Sequence, residues 1–259
     1  MKWNEQTDIF RYRLRSLWHK PYPAALLLHP LSNRYPPVEP LANPWSDMPK
    51  IEPNLSTRAE LDADQAVAMT LEAATLANRA LRAGSIAPAF RLRGYDGQQV
   101  SLHELISTGP AIVHFHRGSW CTYCQNSLAD LTVSHENIRA AGARVAAIAP
   151  PPSPRFLAAT QVEAAQLPFL TLIDKGMKVA VSYGVAYSLP AQLRPIYLER
   201  GYAPPHNPKA GEWLVPIPAT YLIDTDGTIV LGAVDVDYRN PLHCEQLVNA
   251  VKGMRRANA

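Results

Sequence analysis

The feature that most constrains this chain is a pair of cysteines three residues apart, Cys121 and Cys124, set where a short apolar run gives way to a helical pattern. Ala111-Ile112-Val113-His114-Phe115-His116 follows Pro110 and has the length and content of a buried strand. Arg117-Gly118-Ser119-Trp120 leads from it into Cys121-Thr122-Tyr123-Cys124, and a helical stretch continues to about Ala140. Such a chain buries the strand in a sheet and launches a helix from the strand's end, leaving unpaired first-turn N–H groups beside the sulfurs. A thiol attacks a disulfide or a peroxide only as its thiolate, and the N-terminus of a helix favours that negative charge. Arg117 and His116 are expected to add positive charge. Three residues apart on a first helical turn, the two sulfurs can close a disulfide.

The rest of the chain divides by pattern. Residues 1–55 read as an irregular arm: the first fifty hold eight of the 24 prolines and three of the five tryptophans (Trp3, Trp18, Trp45), with no sustained period. Met48 is an alternative start that would make the arm an extension. Thr57 and Glu60 form a capping-box pattern opening an N-terminal helix over 56–84, with Gly84 as its closing glycine. Residues 85–259 read as one α/β domain. Phe90-Arg91-Leu92 and Gln99-Val100-Ser101 flank the hairpin signature Asp96-Gly97. Strands are expected at 145–149, 169–173, 219–223 and 228–234, and helices at about 156–165, 177–183 and 241–256. A Pro- and Gly-studded excursion, 188–213, interrupts them. Strands alternating with helices and ending in a hairpin and a helix predict a mixed central β-sheet flanked by helices.

Composition narrows the function classes. A hydrophobic fraction of 47% supports a full core, and a net charge of +3 with no Lys/Arg run interleaved with aromatics argues against nucleic acid. The apolar run Ala24–Leu28 is too short to span a membrane. A soluble, cytoplasmic protein is expected. Three cysteines fit a secreted disulfide framework poorly, so the pair points to redox chemistry or metal.

These residues together resemble the thioredoxin superfamily, and within it the peroxiredoxin-like proteins related to alkyl hydroperoxide reductase and thiol-specific antioxidant. The resemblance is carried by Ala87-Pro88-Ala89-Phe90 with Asp96-Gly97, by Arg117 to Cys124, and by Pro216-Ile217-Pro218-Ala219-Thr220-Tyr221-Leu222-Ile223-Asp224 with Asp226-Gly227. It covers roughly residues 85–256 and implies a thioredoxin-like fold and a thiol-dependent peroxidase without a cofactor. The implied partners are a hydroperoxide and a thioredoxin-type reductant, with a homodimer left open. The resemblance also makes Pro218 a cis proline facing the cysteines.

Laid on the family's Pro-…-Thr/Ser-x-x-Cys pattern, Cys124 takes the peroxidatic place, Cys121 replaces the hydroxyl residue and Arg117 replaces the proline. Arg239 is the candidate for the distal arginine that polarises the peroxide. A thioredoxin reading reverses the pair, with Cys121 as nucleophile and Cys124 as resolving thiol. Trp120 is read as a wall shielding the site. His114 and His116 share a strand face and could complete a Cys₂His₂ zinc set, but strand histidines usually pack or meet solvent. Cys244 reads as a small buried residue, with a resolving role open, and Asp224 and Asp226 read as turn residues. Three functions remain at this stage: a peroxidase cycling through an intramolecular disulfide, a disulfide reductase, and a redox-sensing or partner-binding module of low turnover.

Overall fold

The computed structural model describes residues 79–154, 157–189, 191–199, 213–234 and 243–257. The arm, the body of the N-terminal helix expected over 56–84, most of the excursion, and Arg239 lie outside the described residues. Residues 79–84 form turns, so no helix reaches Gly84. Gly84 does take a left-handed φ of 87°, and its N–H donates to Ile229 O at 2.8 Å, tying this segment to the sheet.

In chain order the elements are β1 (Arg91–Gly94), β2 (Gln99–Ser101), α1 (Leu102–Ile106), β3 (Ala111–Phe115), α2 (Thr122–Ala140), β4 (Arg144–Ala149) and α3 (Leu157–Gln166). They continue with β5 (Leu170–Ile173), α4 (Lys178–Ser182), β6 (Ala186–Ser188), α5 (Arg194–Glu199), β7 (Leu214–Pro216), β8 (Ala219–Ile223), β9 (Ile229–Val234) and α6 (Cys244–Ala257). Seven strands form one sheet in the order β2-β1-β5-β4-β3-β8-β9. β3 runs parallel to β4 and β4 to β5, while β1, β2, β8 and β9 pair antiparallel. The mixed sheet is therefore as the strand–helix alternation predicts.

β3 is central, and all five of its residues are buried. Its period of two sends Ala111, Val113 and Phe115 into one core, with Tyr183, Tyr197 and Ile217. Ile112 goes into the other, against Leu128 and Leu131 of α2 and Leu247 and Val251 of α6. Helices thus cover both faces, and α2 is pinned from beneath by the sheet and from the side by α6. That packing holds the helix N-terminus at the C-terminal end of β3, where strand carbonyls and first-turn N–H groups converge on one loop.

Two features went unread in the sequence. Ser101 and Glu104 form a reciprocal capping box that opens α1, with Glu104 N donating to Ser101 Oγ at 3.2 Å and Ser101 N to Glu104 Oε2 at 2.7 Å. Flanking the excursion, β6 and β7 form a separate two-stranded sheet, Ala186 opposite Pro216 and Ser188 opposite Leu214. These strands are three residues long, below what local periodicity can register.

Candidate active site

The site forms on the nine-residue passage from His116 to Cys124. β3 ends at Phe115, and the His116 N–H still joins the ladder by donating to Ile148 O at 3.0 Å. Gly118 then takes a φ of 113°, a conformation that side chains disfavour, and the Cys121 N–H closes the turn onto Gly118 O at 3.1 Å. Cys121 is the N-cap of α2, in extended backbone, and its sulfur accepts the Cys124 N–H at 3.4 Å. The sulfur thus takes the capping role that a Ser or Thr oxygen usually fills at this position.

Three donors converge on Cys121 Sγ. Besides the Cys124 N–H, the Arg117 Nε–H donates at 3.4 Å, and the Cys124 thiol donates across a sulfur–sulfur distance of 2.6 Å. A disulfide has a bond length of about 2.05 Å, so the pair needs to close by only about half an ångström. Cys124 Sγ in turn accepts the Arg117 N–H at 3.4 Å. All three cysteines are free thiols.

The electrostatics separate the two thiols. Burial alone would push Cys121 up, but the Cys124 hydrogen bonds and the adjacent Arg117 charge outweigh it and bring Cys121 down to about 6. Cys124 goes the other way: burial, and then the hydrogen bond and charge of Cys121, push it well above the usual thiol range. The acidic thiol is the first cysteine of the pair.

Arg117 is only 1% exposed. Its guanidinium carbon lies 4.7 Å from the Trp120 ring centroid and 5.7 Å from that of Tyr197, and Nη1 donates to Tyr197 Oη at 3.2 Å. Trp120 donates its Nε1–H to Arg117 O at 2.7 Å and packs on Tyr197 at 5.1 Å between centroids. Trp120 thus packs beside Arg117 and against Tyr197, and the Tyr187 hydroxyl lies behind Tyr197 at 3.2 Å from its own. The sequence reading missed both tyrosines. Tyr197 is 80 residues from Arg117 along the chain, in a segment whose path no local pattern predicts.

Other expectations need correcting. His116 adds no positive charge at neutral pH, because burial pushes its imidazole down to about 4. His114 falls to about 3 through burial and then the neighbouring His116. The two rings do share a face, stacked 6.0 Å apart, but His114 Nδ1 meets Thr220 Oγ1 at 2.9 Å and His116 Nδ1 accepts the Gly118 N–H at 3.3 Å. Among the described residues no group of three or more His, Cys, Asp or Glu side chains stands together as a metal site.

Pro218 lies between β7 and β8, but no described peptide bond is cis, so its bond to Ile217 is trans. Trans is the intrinsic preference even before proline, and here Ile217 N donates to Val185 O at 2.7 Å as the chain runs extended into β8. Asp224 and Asp226 are turn residues as expected, accepting the Thr225 and Thr228 N–H groups at 2.7 and 2.8 Å. Cys244 opens α6, 7% exposed, and burial pushes its thiol up to about 12. No described helix is long and apolar enough to cross a membrane.

Residues 83–231 match the AhpC/TSA family. The curated protein peroxiredoxin Q, chloroplastic, of Suaeda salsa is 33% identical over 106 residues, which is 41% of this chain and 48% of that relative. The match thus spans about half of the relative's length. Among solved structures, peroxidoxin BcpB from Mycobacterium tuberculosis aligns with a TM-score of 0.51 at 19% identity, covering 68% of this chain and 99% of the other. The reduced 2-Cys peroxiredoxin of Plasmodium vivax aligns with a TM-score of 0.51 at 12% identity, covering 69% and 84%. At these identities the structural likeness establishes the fold alone, and that fold is thioredoxin-like.

Proposed function

Because this chain belongs to the AhpC/TSA family, we propose that it is a thiol peroxidase that reduces hydrogen peroxide or an organic hydroperoxide, with Cys121 as nucleophile and Cys124 as resolving thiol. The observation that carries the reading is the convergence of three donors on Cys121 Sγ, with Arg117 Nε at 3.4 Å and Cys124 Sγ at 2.6 Å. The Cys121 thiolate attacks the terminal peroxide oxygen. The S–O bond forms as the O–O bond breaks, and the alkoxide or hydroxide takes a proton and departs as alcohol or water. The Arg117 charge beside Cys121 would offset part of the negative charge that builds on the leaving oxygen. The Cys124 thiol then attacks the sulfenic sulfur, the S–O bond breaks, water leaves and the disulfide forms. An external dithiol of the thioredoxin type returns two electrons and two protons. A reducing compartment such as the cytoplasm belongs to this proposal, since the cycle stops without that donor.

Both cysteines are 2% exposed, which favours a small peroxide over a bulky protein disulfide as oxidant. One observation favours the alternative, a thioredoxin-like disulfide reductase: the acidic thiol is Cys121, whereas the family's peroxidatic position falls on Cys124. Peroxide consumption by the reduced protein, with a thioredoxin system, separates the readings. Wild type is expected to turn over, Cys124→Ser to consume one equivalent and stop, and Cys121→Ser to consume none. One equivalent consumed by Cys121→Ser and none by Cys124→Ser would hand the nucleophile's role to Cys124. No peroxide consumption by wild type, together with reduction of a disulfide substrate, would make the protein a reductase.

A further inference from the structure

A buried guanidinium is costly unless its N–H groups find acceptors. Arg117 is a long side chain whose charge acts on Cys121 only while its fork is held in one place. The side chain's terminal contacts lie on two different segments. Nε–H reaches Cys121 Sγ at 3.4 Å, and Nη1–H reaches Tyr197 Oη at 3.2 Å. Tyr197 is itself fixed: it is 1% exposed, its ring packs on Trp120, and its hydroxyl meets that of Tyr187, which is 3% exposed, at 3.2 Å. Tyr187 lies on β6, just before the excursion, and Tyr197 on α5 within it, so the excursion and the strand that enters it supply the two hydroxyls. A guanidinium drift of about 1 Å would carry Nε beyond hydrogen-bonding reach of Cys121 Sγ.

We propose that Tyr197 is a positioning residue for the dithiol: its hydroxyl, steadied by Tyr187, holds the Arg117 guanidinium against Cys121 Sγ. This rests on the reading of Cys121 as the nucleophile. It gives the excursion a defined task, since the segment between β6 and β7 carries the group that orients the site's charge. Among the described residues, the titratable groups around Cys121 include Cys124, Arg117, Tyr197, Tyr187 and His116, whose ring accepts the Gly118 N–H. Of these, His116 is already neutral where Cys121 titrates.

The test is the pH profile of iodoacetamide alkylation on the full-length reduced protein, read at each cysteine by peptide mass spectrometry. Wild type is expected to react at Cys121 with a midpoint near 6. Tyr197→Phe keeps the ring and loses the acceptor, so its midpoint should rise by about one unit, which slows alkylation about fivefold at pH 6 and not at all at pH 9. Tyr187→Phe should move the same midpoint by a smaller amount, and it provides an independent reading should Tyr197→Phe fold poorly. A purely packing role would lower reactivity or stability without moving the midpoint. Cys121 alkylation with unchanged midpoints in both variants overturns the proposal and leaves the nucleophile standing. Preferential alkylation of Cys124 in wild type overturns both.

Discussion

Arg117 Nε lies 3.4 Å from Cys121 Sγ, four residues along the chain, with the backbone N–H of the same arginine 3.4 Å from Cys124 Sγ. One residue therefore faces both sulfurs, and it does so from the position where the family pattern has a proline. A proline has neither a charge nor an N–H to offer, and Arg117 brings both to the pair. In Arg117→Met the Cys121 thiolate should lose its nearest cation, and its pKa should rise by about one to two units. Peroxide consumption at pH 7 should fall roughly tenfold, as measured by stopped flow. Arg117→Lys should recover only part of the rate, because an ammonium carries the charge without the fork. Equal rates in wild type and Arg117→Met would remove Arg117 from the chemistry.

The His114–His116 pair should make the fold acid-sensitive. Burial holds the two imidazoles at about 3 and about 4, below the ordinary 6.5, so the unfolded chain binds protons that the folded chain refuses. Their contribution to stability is complete above pH 6.5 and is lost as pH falls from there toward the folded values. It is on the order of 3 kcal/mol for His116 and 5 kcal/mol for His114. Asp130, raised to about 6 by burial, titrates in the opposite sense and offsets part of the loss between pH 6 and 4. Urea midpoints should be lower at pH 5 than at pH 7 in wild type, and the difference should shrink in His116→Gln. A midpoint that rises on acidification would contradict this.

Cys244 should be a bystander. Its thiol is pushed up to about 12 in a buried position on α6, so it forms little thiolate at neutral pH. Thiol titration under denaturing conditions should find three thiols in the reduced chain and one after a single equivalent of peroxide. Cys244→Ala should turn over peroxide at the wild-type rate. A variant that consumes peroxide once and stalls would instead give Cys244 the resolving role.

Gly118 couples the turn to the site. Its φ is 113°, and an added Cβ would come within 3.2 Å of Trp120 Cδ1 and Nε1. Gly118→Ala should cost about 1–3 kcal/mol, lowering the thermal midpoint by several degrees. The displaced Trp120 would loosen its 2.7 Å bond to Arg117 O. Slower Cys121 alkylation at pH 6 should accompany the lower melting point.

The dithiol on its strand-to-helix junction was legible in the sequence because every signal for it is local. β3 is expected over 111–116 and found over Ala111–Phe115, and the following helix is expected to about Ala140 and ends there. The hairpin at Asp96-Gly97 and the antiparallel ending at β8 and β9 follow from turn residues at fixed offsets. The capping box at Ser101 and Glu104 was equally local and simply went unread.

What escaped the sequence depends on groups brought together from afar. Tyr197 reaches Arg117 across 80 residues, and no periodicity connects them. His116 is a potential cation in a string of letters and a neutral ring once the fold buries it, because desolvation disfavours the charge. Residue spacing made Cys121 and Cys124 interchangeable partners in a disulfide. Only the tertiary structure decided between them, by aiming one guanidinium N–H and one S–H at the first sulfur, which makes that thiol the acidic one. Spacing determined that the two sulfurs meet, because a helical turn is a local geometry, and packing decided which of them carries charge, because the energy of a charge depends on everything around it.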